Sequence, residues 1–143
     1  MFAGKNPFSA TDKPLDHYGC VMPQVKIYGL TDTLTALKPK LSDVIHQCMQ
    51  EALGIPENKR FQRFIKLHPD DFYFPGDRTE QYLIIEIIMF EGRSVDVKKQ
   101  LLRILMERIH TMLEISINDI EITIFETSKH NWGIRGVTGD ELK

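Results

Sequence analysis

The chain has 143 residues, of which 42% are hydrophobic, and its 18 Lys and Arg against 20 Asp and Glu leave a formal net charge of −2, which suits a single domain, or two small units sharing one core, and offers no footprint for nucleic acid. The longest apolar stretch, Tyr82 to Phe90, is interrupted by Glu86 and falls short of the roughly 20 residues of a membrane span; Met1 to Cys20 shows no apolar block of a signal peptide. Two cysteines, Cys20 and Cys48, make neither a disulfide framework nor a metal site, and the compartment rule reads them as reduced thiols of a cytoplasmic protein.

Residues 1–21 carry Gly4, Asn6, Pro7, Ser9, Asp12, Lys13 and Pro14 without helical or strand period, and are expected to form an irregular arm. From Pro23 the pattern becomes a strand, QVKIYGL. Leu34 to Leu53 then place Leu37, Leu41, Val44, Ile45, Cys48, Met49 and Ala52 at helical spacings, closed by Gly54 in a C-cap role. RFQRFIKL has strand composition, and HPDDFYFPGDRTEQ is too rich in Pro, Asp and Gly to continue it. The strand YLIIEIIMF, a helix from about Val95 to Leu113, and the strand DIEITIFE follow.

These elements repeat. A shift of 60 residues superposes Val25 on Ile85, Ile27 on Ile87, Leu41 on Leu101, Val44 on Ile104, Leu53 on Leu113, Ile55 on Ile115 and Phe64 on Ile124. Two successive strand-helix-strand units require parallel pairing inside each unit, with both crossover helices on one face of a mostly parallel-paired four-stranded sheet. The predicted class is α+β: one domain over residues 22–143, with units at about 22–68 and 80–127 and a C-terminal segment at 128–143. YLIIEIIMF is apolar at almost every position, as in strands covered on both faces. Two helices cover only one face, so the sequence predicts self-association through the other.

Three segments carry a resemblance: Met22-Pro23-Gln24-Val25-Lys26-Ile27 opening the first strand, Phe90-Glu91-Gly92-Arg93-Ser94 after the third, and Asn131-Trp132-Gly133-Ile134-Arg135-Gly136 after the fourth. In this order, on a 60-residue duplication, they resemble the tautomerase superfamily, including 4-oxalocrotonate tautomerase and malonate semialdehyde decarboxylase. The resemblance implies a catalytic amino-terminal proline at Pro23 and a substrate-binding arginine at Arg93. It also implies an apolar wall made by Trp132 and Ile134, a homotrimer, and no metal or organic cofactor.

The chemistry depends on the Pro23 nitrogen. A free secondary amine takes up protons, whereas an amine acylated by Met22 is an amide with a delocalised lone pair. The structural alternative for Pro23 is a proline that starts an edge strand, where a missing N–H is harmless. Arg93 stands at a helix start, where a cation opposes the dipole and calls for another reason; a guanidinium fork suits a carboxylate. Trp132 serves equally well as an aromatic anchor in a subunit contact.

Departures from the resemblance are specific. The family's second arginine falls on Phe61 in the first unit and Glu121 in the second, the decarboxylase branch's aspartate on Lys59, and its additional arginine on Glu91, which argues against hydrolytic dehalogenation or decarboxylation. His46, His68, His110 and His130 form no zinc spacing. Two functions stay open. One is an isomerase moving a proton in a small 2-keto or enol acid, if Pro23 is the mature N-terminus; the other is a noncatalytic or divergent trimer that binds a small anion, with Pro23 blocked by the arm.

Overall fold

A computed structural model describes residues 23–142, so the expected arm and Cys20 lie outside the described residues. The elements in chain order are β1 (Gln24–Leu30), α1 (Thr31–Leu53), β2 (Gln62–Leu67), β3 (Leu83–Phe90), α2 (Val95–Leu113), β4 (Ile120–Thr127), β5 (Gly133–Ile134) and β6 (Val137–Thr138). The four long strands form one sheet in the order β2-β1-β3-β4. β1 pairs with β2 and β3 with β4 in parallel, and the two units meet through antiparallel β1 and β3. The predicted α+β architecture of two β-α-β units is the observed one.

The repeat extends to the register. Val25 faces Gln62 and Ile27 faces Phe64 in the first unit; their counterparts Ile85 and Ile87 face Ile122 and Ile124 in the second. Across the junction, Val25 pairs with Ile87 and Ile27 with Ile85, as expected if a local two-fold axis relates the units. That axis passes between Lys26 and Glu86, directly opposed and 60 residues apart in the chain. Pro23 and Leu83 are likewise counterparts, but Leu83 is fully buried at the head of β3.

Alternation along the strands divides the sheet cleanly. Val25, Ile27, Leu83, Ile85, Ile87 and Met89 point inward and are at most 2% exposed. They pack in a single cluster with Leu41, Ile45 and Cys48 of α1 and Leu101, Leu105 and Ile109 of α2, so both helices cover the same face. Each such side chain contributes roughly 1.5–3 kcal/mol when fully buried. The opposite face carries Lys26, Tyr28, Ile84, Glu86 and Ile88, all half-buried.

Element ends follow local chemistry. α1 begins at Thr31, three residues before the predicted Leu34, and runs 23 residues with Pro39 inside. Pro39 lies in the interior of the helix, beyond the first turn, so it removes one intrahelical hydrogen bond that the packing of the long amphipathic segment has to offset. Gly54 ends α1 at φ 71° with its N–H on Gln50 O at 2.9 Å, as expected for its C-cap. In the second unit the same left-handed position falls to Glu114, φ 59°. α2 starts later in its unit than α1 does because Glu91–Ser94 forms a turn, and the Ser94 hydroxyl accepts from Val97 N at 3.2 Å.

The C-terminal segment folds back over the end of β3. β5 and β6 are joined through Arg135 and Gly136, both at positive φ (54° and 83°), the conformation that a two-residue hairpin requires. This hairpin was not predicted, although Arg135-Gly136 between Ile134 and Val137 is its sequence signal. Trp132 packs edge-on against Phe90 at 5.2 Å, and Gly139 N donates to Trp132 O at 2.6 Å. No described helix is long and apolar enough to cross a membrane.

The candidate active site at the head of the first strand

Pro23 is buried just before β1. β1 is an internal strand, flanked by β2 and β3, which corrects the reading of Pro23 as the start of an edge strand. Its missing N–H is harmless for a different reason: the ladder begins one residue later, at Gln24. Val25 N donates to Phe61 O at 3.0 Å and so ties the residues after Pro23 to the segment entering β2.

A recess opens beside Pro23 between α1, β1 and that segment. Val25, Met49 and Ile55 form its apolar part, and His46, Lys59, Phe61 and Gln62 complete its lining. Gln62 is already engaged, its side-chain amide exchanging hydrogen bonds with the Ser42 hydroxyl at 2.5 Å and the Ser42 carbonyl at 3.2 Å. His46, on the buried face of α1 and 3% exposed, donates from Nε2 to Glu57 O at 2.8 Å. That bond requires a proton on Nε2, because a carbonyl only accepts, and it pins the connection that carries Lys59 and Phe61. No carboxylate lines the recess. A secondary amine placed here, against apolar walls and near an ammonium, holds its protonated form less well than in water.

The antiparallel register brings the tail of β3 to the same end of the sheet, Gln24 facing Ile88. The Glu91–Ser94 turn therefore leaves from the end at which Pro23 lies, and so does the segment through Trp132, which rests on Phe90. Pro23, Arg93, Trp132 and Ile134 share this end of the fold. Only Pro23 lines the recess. Trp132 and Ile134 are half-buried in the segment that closes over Phe90, Ile134 within β5.

Arg93 is half-buried. Burial lowers its pKa from the usual guanidinium range, an effect that the Glu126 carboxylate opposes. Glu126 is itself paired with Lys98 at 2.9 Å, and no hydrogen bond or ion pair joins Arg93 to another described residue. A desolvated guanidinium with free donors can accept an anion. Arg60 and Arg63 are occupied: Arg60 by Asp43 at 2.8 Å and Arg63 by the Gln24 side chain at 2.8 Å.

Sequence reasoning singled out Pro23 and Arg93 but passed over His46 as scattered and treated Lys59 only as a departure. The available signal was the position of His46 on the apolar stripe of α1. Nothing in the spacing announces that it meets Glu57.

A family model described as Tautomerase enzyme matches residues 59–135. Among curated proteins, the chain is 29% identical over 116 residues to the probable tautomerase YusQ of Bacillus subtilis (strain 168), covering 78% of this chain and 91% of that protein. It is 26% identical over 99 residues to the probable tautomerase YrdN of the same organism, covering 65% and 75%. Among solved structures, malonate semialdehyde decarboxylase superposes with a TM-score of 0.68 at 21% identity over 78% of this chain and 89% of that one. A fused 4-OT described as an asymmetric trimer superposes with a TM-score of 0.72 at 20% identity, covering 82% and 96%. These structural likenesses bear on the fold.

Proposed function

The chain belongs to the tautomerase family, and we propose that it catalyses cofactor-independent keto–enol proton transfer on a small 2-keto or enol acid, with Pro23 as the base. The observation that carries this reading is the burial of Pro23 in the lining of a partly apolar recess that holds a lysine and no carboxylate. Such surroundings favour the neutral amine, which can take a proton from the enol oxygen and return it to carbon. Arg93 holds a carboxylate or stabilises the charge that develops on the enolate oxygen, while Trp132 and Ile134 exclude water.

The proposed assembly is a homotrimer, supported by the half-buried Ile84 and Ile88 on the helix-free face and by the trimer described for the fused 4-OT. The proposed location is the cytoplasm, in keeping with a buried, unpaired Cys48. A single domain over residues 22–143, preceded by an arm, is proposed with them.

The mechanism requires the Pro23 nitrogen to be free of Met22, because an acylated nitrogen is not basic. With that bond intact, the same recess serves as a small-anion site without proton transfer. Mass spectrometry of protein expressed from the native gene decides between the two: a mature chain beginning at Pro23 supports catalysis, and a chain beginning at Met1 or Phe2 ends it. For the Pro23 form, ketonisation of phenylenolpyruvate or 2-hydroxymuconate is compared with Pro23→Ala. Equal rates overturn the proline mechanism.

A further inference from the structure

Arg60, Ser42 and Gln62 form a chain of hydrogen bonds that ends in the lining of the Pro23 recess, and the proposed chemistry gives that chain no task. Arg60 Nη1 donates to Ser42 Oγ at 3.0 Å and to Asp43 Oδ1 at 2.8 Å. An arginine only donates, so the Ser42 hydroxyl keeps its own proton to give away, and it gives it to Gln62 Oε1 at 2.5 Å. Gln62 Nε2 in turn donates to the Ser42 carbonyl at 3.2 Å. Because a backbone carbonyl only accepts, these two bonds fix which end of the amide is nitrogen. Ser42 thus engages the amide oxygen and one of its two N–H groups. The second N–H has no acceptor among the described residues. Gln62 is half-buried and shares the recess lining with Pro23. No described carboxylate lines that recess, and the Nε2–H of His46 is spent on Glu57 O. Hydrogen bonds in series polarise one another, and this series starts at a cation, so the remaining Gln62 N–H is a stronger donor than that of an isolated amide.

We propose that Gln62 is a catalytic residue of the Pro23 site, its unspent amide N–H donating to the 2-oxygen of a small 2-keto or enol acid, with Ser42 and Arg60 as its positioning residues. This inference rests on reading the recess as the place where substrate meets Pro23. The 2-oxygen gains negative charge as the proton moves, and a donor already fixed in place strengthens its bond to that charge without reorganising. An oxygen with more than one lone pair has room for this donor beside Arg93. The substrate class narrows accordingly to acids that carry an oxygen on carbon 2, as against plain carboxylates.

The test follows the Gln62 side-chain amide protons by NMR in the full chain, the pair being identified by its loss in Gln62→Met. Phenylglyoxylate, a 2-keto acid with no enolisable hydrogen, is expected to shift one of the two protons and leave the Ser42-bound one in place. Phenylacetate, which lacks the 2-oxygen, is expected to shift neither. In kinetics, Gln62→Met lowers kcat for phenylenolpyruvate ketonisation about 10²-fold, the scale of one lost donor to a developing oxyanion, with KM near that of the parent. Ser42→Ala lowers kcat as well, and Ser42→Thr, which keeps the hydroxyl, restores it. Equal shifts with both acids, no shift with phenylglyoxylate, or an unchanged kcat in Gln62→Met overturns the assignment and leaves Pro23 as the base. A shift specific to phenylglyoxylate in a chain unable to ketonise phenylenolpyruvate sinks proton transfer and leaves the contact between Gln62 and the 2-oxygen standing.

Discussion

Lys26 and Glu86 occupy the same place in the two repeated units and face each other across β1 and β3, with Nζ 3.7 Å from Oε1. One sequence position thus became a cation in one copy and an anion in the other. Tyr28 OH adds a hydrogen bond to the same carboxylate at 2.9 Å. Because identical charges opposed across a junction destabilise it, the divergence at this position suits the antiparallel meeting of the units.

A double-mutant cycle on Lys26→Met and Glu86→Gln is expected to return a coupling of about 0.2–1 kcal/mol in urea unfolding, the range for a partly exposed pair. Reversal of both charges together preserves it, and Lys26→Glu alone is the most destabilising variant. A Lys26→Glu variant as stable as the parent refutes the pairing.

Gly139→Ala should destabilise the C-terminal segment by about 1–3 kcal/mol, the cost of overpacking. An added Cβ would stand 2.6 Å from both the Lys129 carbonyl and the Phe90 ring. Trp132, the sole tryptophan, lies on that ring, so its fluorescence should shift with the change. Unaltered emission and an unaltered melting temperature contradict the packing described.

Replacement of His46 by leucine keeps an apolar side chain in α1 but leaves Glu57 O without its donor. A loss of about 1–3 kcal/mol follows for the unsatisfied carbonyl, less if water reaches it. Faster amide exchange at residues 57–61 is the accompanying sign, because this bond anchors that connection. Exchange confined to α1 counts against the anchoring role.

Cys48 is fully buried, and burial pushes its thiol up to about 11 from 9.0. Between these values the unfolded chain releases the Cys48 proton while the folded chain keeps it, so stability falls as pH rises through that window. Below pH 9 the group contributes no slope. Iodoacetamide at pH 8 should leave Cys48 unmodified until denaturant is added, with peptide mapping separating it from Cys20. Rapid labelling of the native protein refutes this burial.

Arg93→Met is expected to lower kcat for phenylenolpyruvate ketonisation about 10²- to 10³-fold, the scale for one lost donor to a developing oxyanion. The melting temperature should hold or rise, since no described residue pairs with the guanidinium and its burial is unfavourable. An unchanged kcat removes Arg93 from the chemistry.

The fold was legible because the 60-residue shift aligned apolar positions that the structure places in equivalent registers, Val25 with Gln62 and Ile85 with Ile122. Periodicity reports such features directly, since buried faces repeat with the geometry of helix and strand. The start of α1 escaped it because Thr31, Asp32 and Thr33 are polar and add nothing to the apolar stripe. The β5–β6 hairpin escaped it because four paired residues are too few to show alternation. Pro23 and Arg93 stood out through motif resemblance. The approach of Lys59 and His46 to Pro23 depends on how α1 and the next connection fold back, a relation that local spacing does not encode.

Duplication usually doubles every surface, yet the two sheet ends here have parted ways. Leu83, the counterpart of Pro23, is fully buried and has an ordinary amide in place of a ring nitrogen. The second unit thus offers no counterpart to the base proposed at Pro23. Any ligand of the Pro23 recess therefore saturates at one equivalent per polypeptide rather than two, and changes at Leu83 register in folding alone.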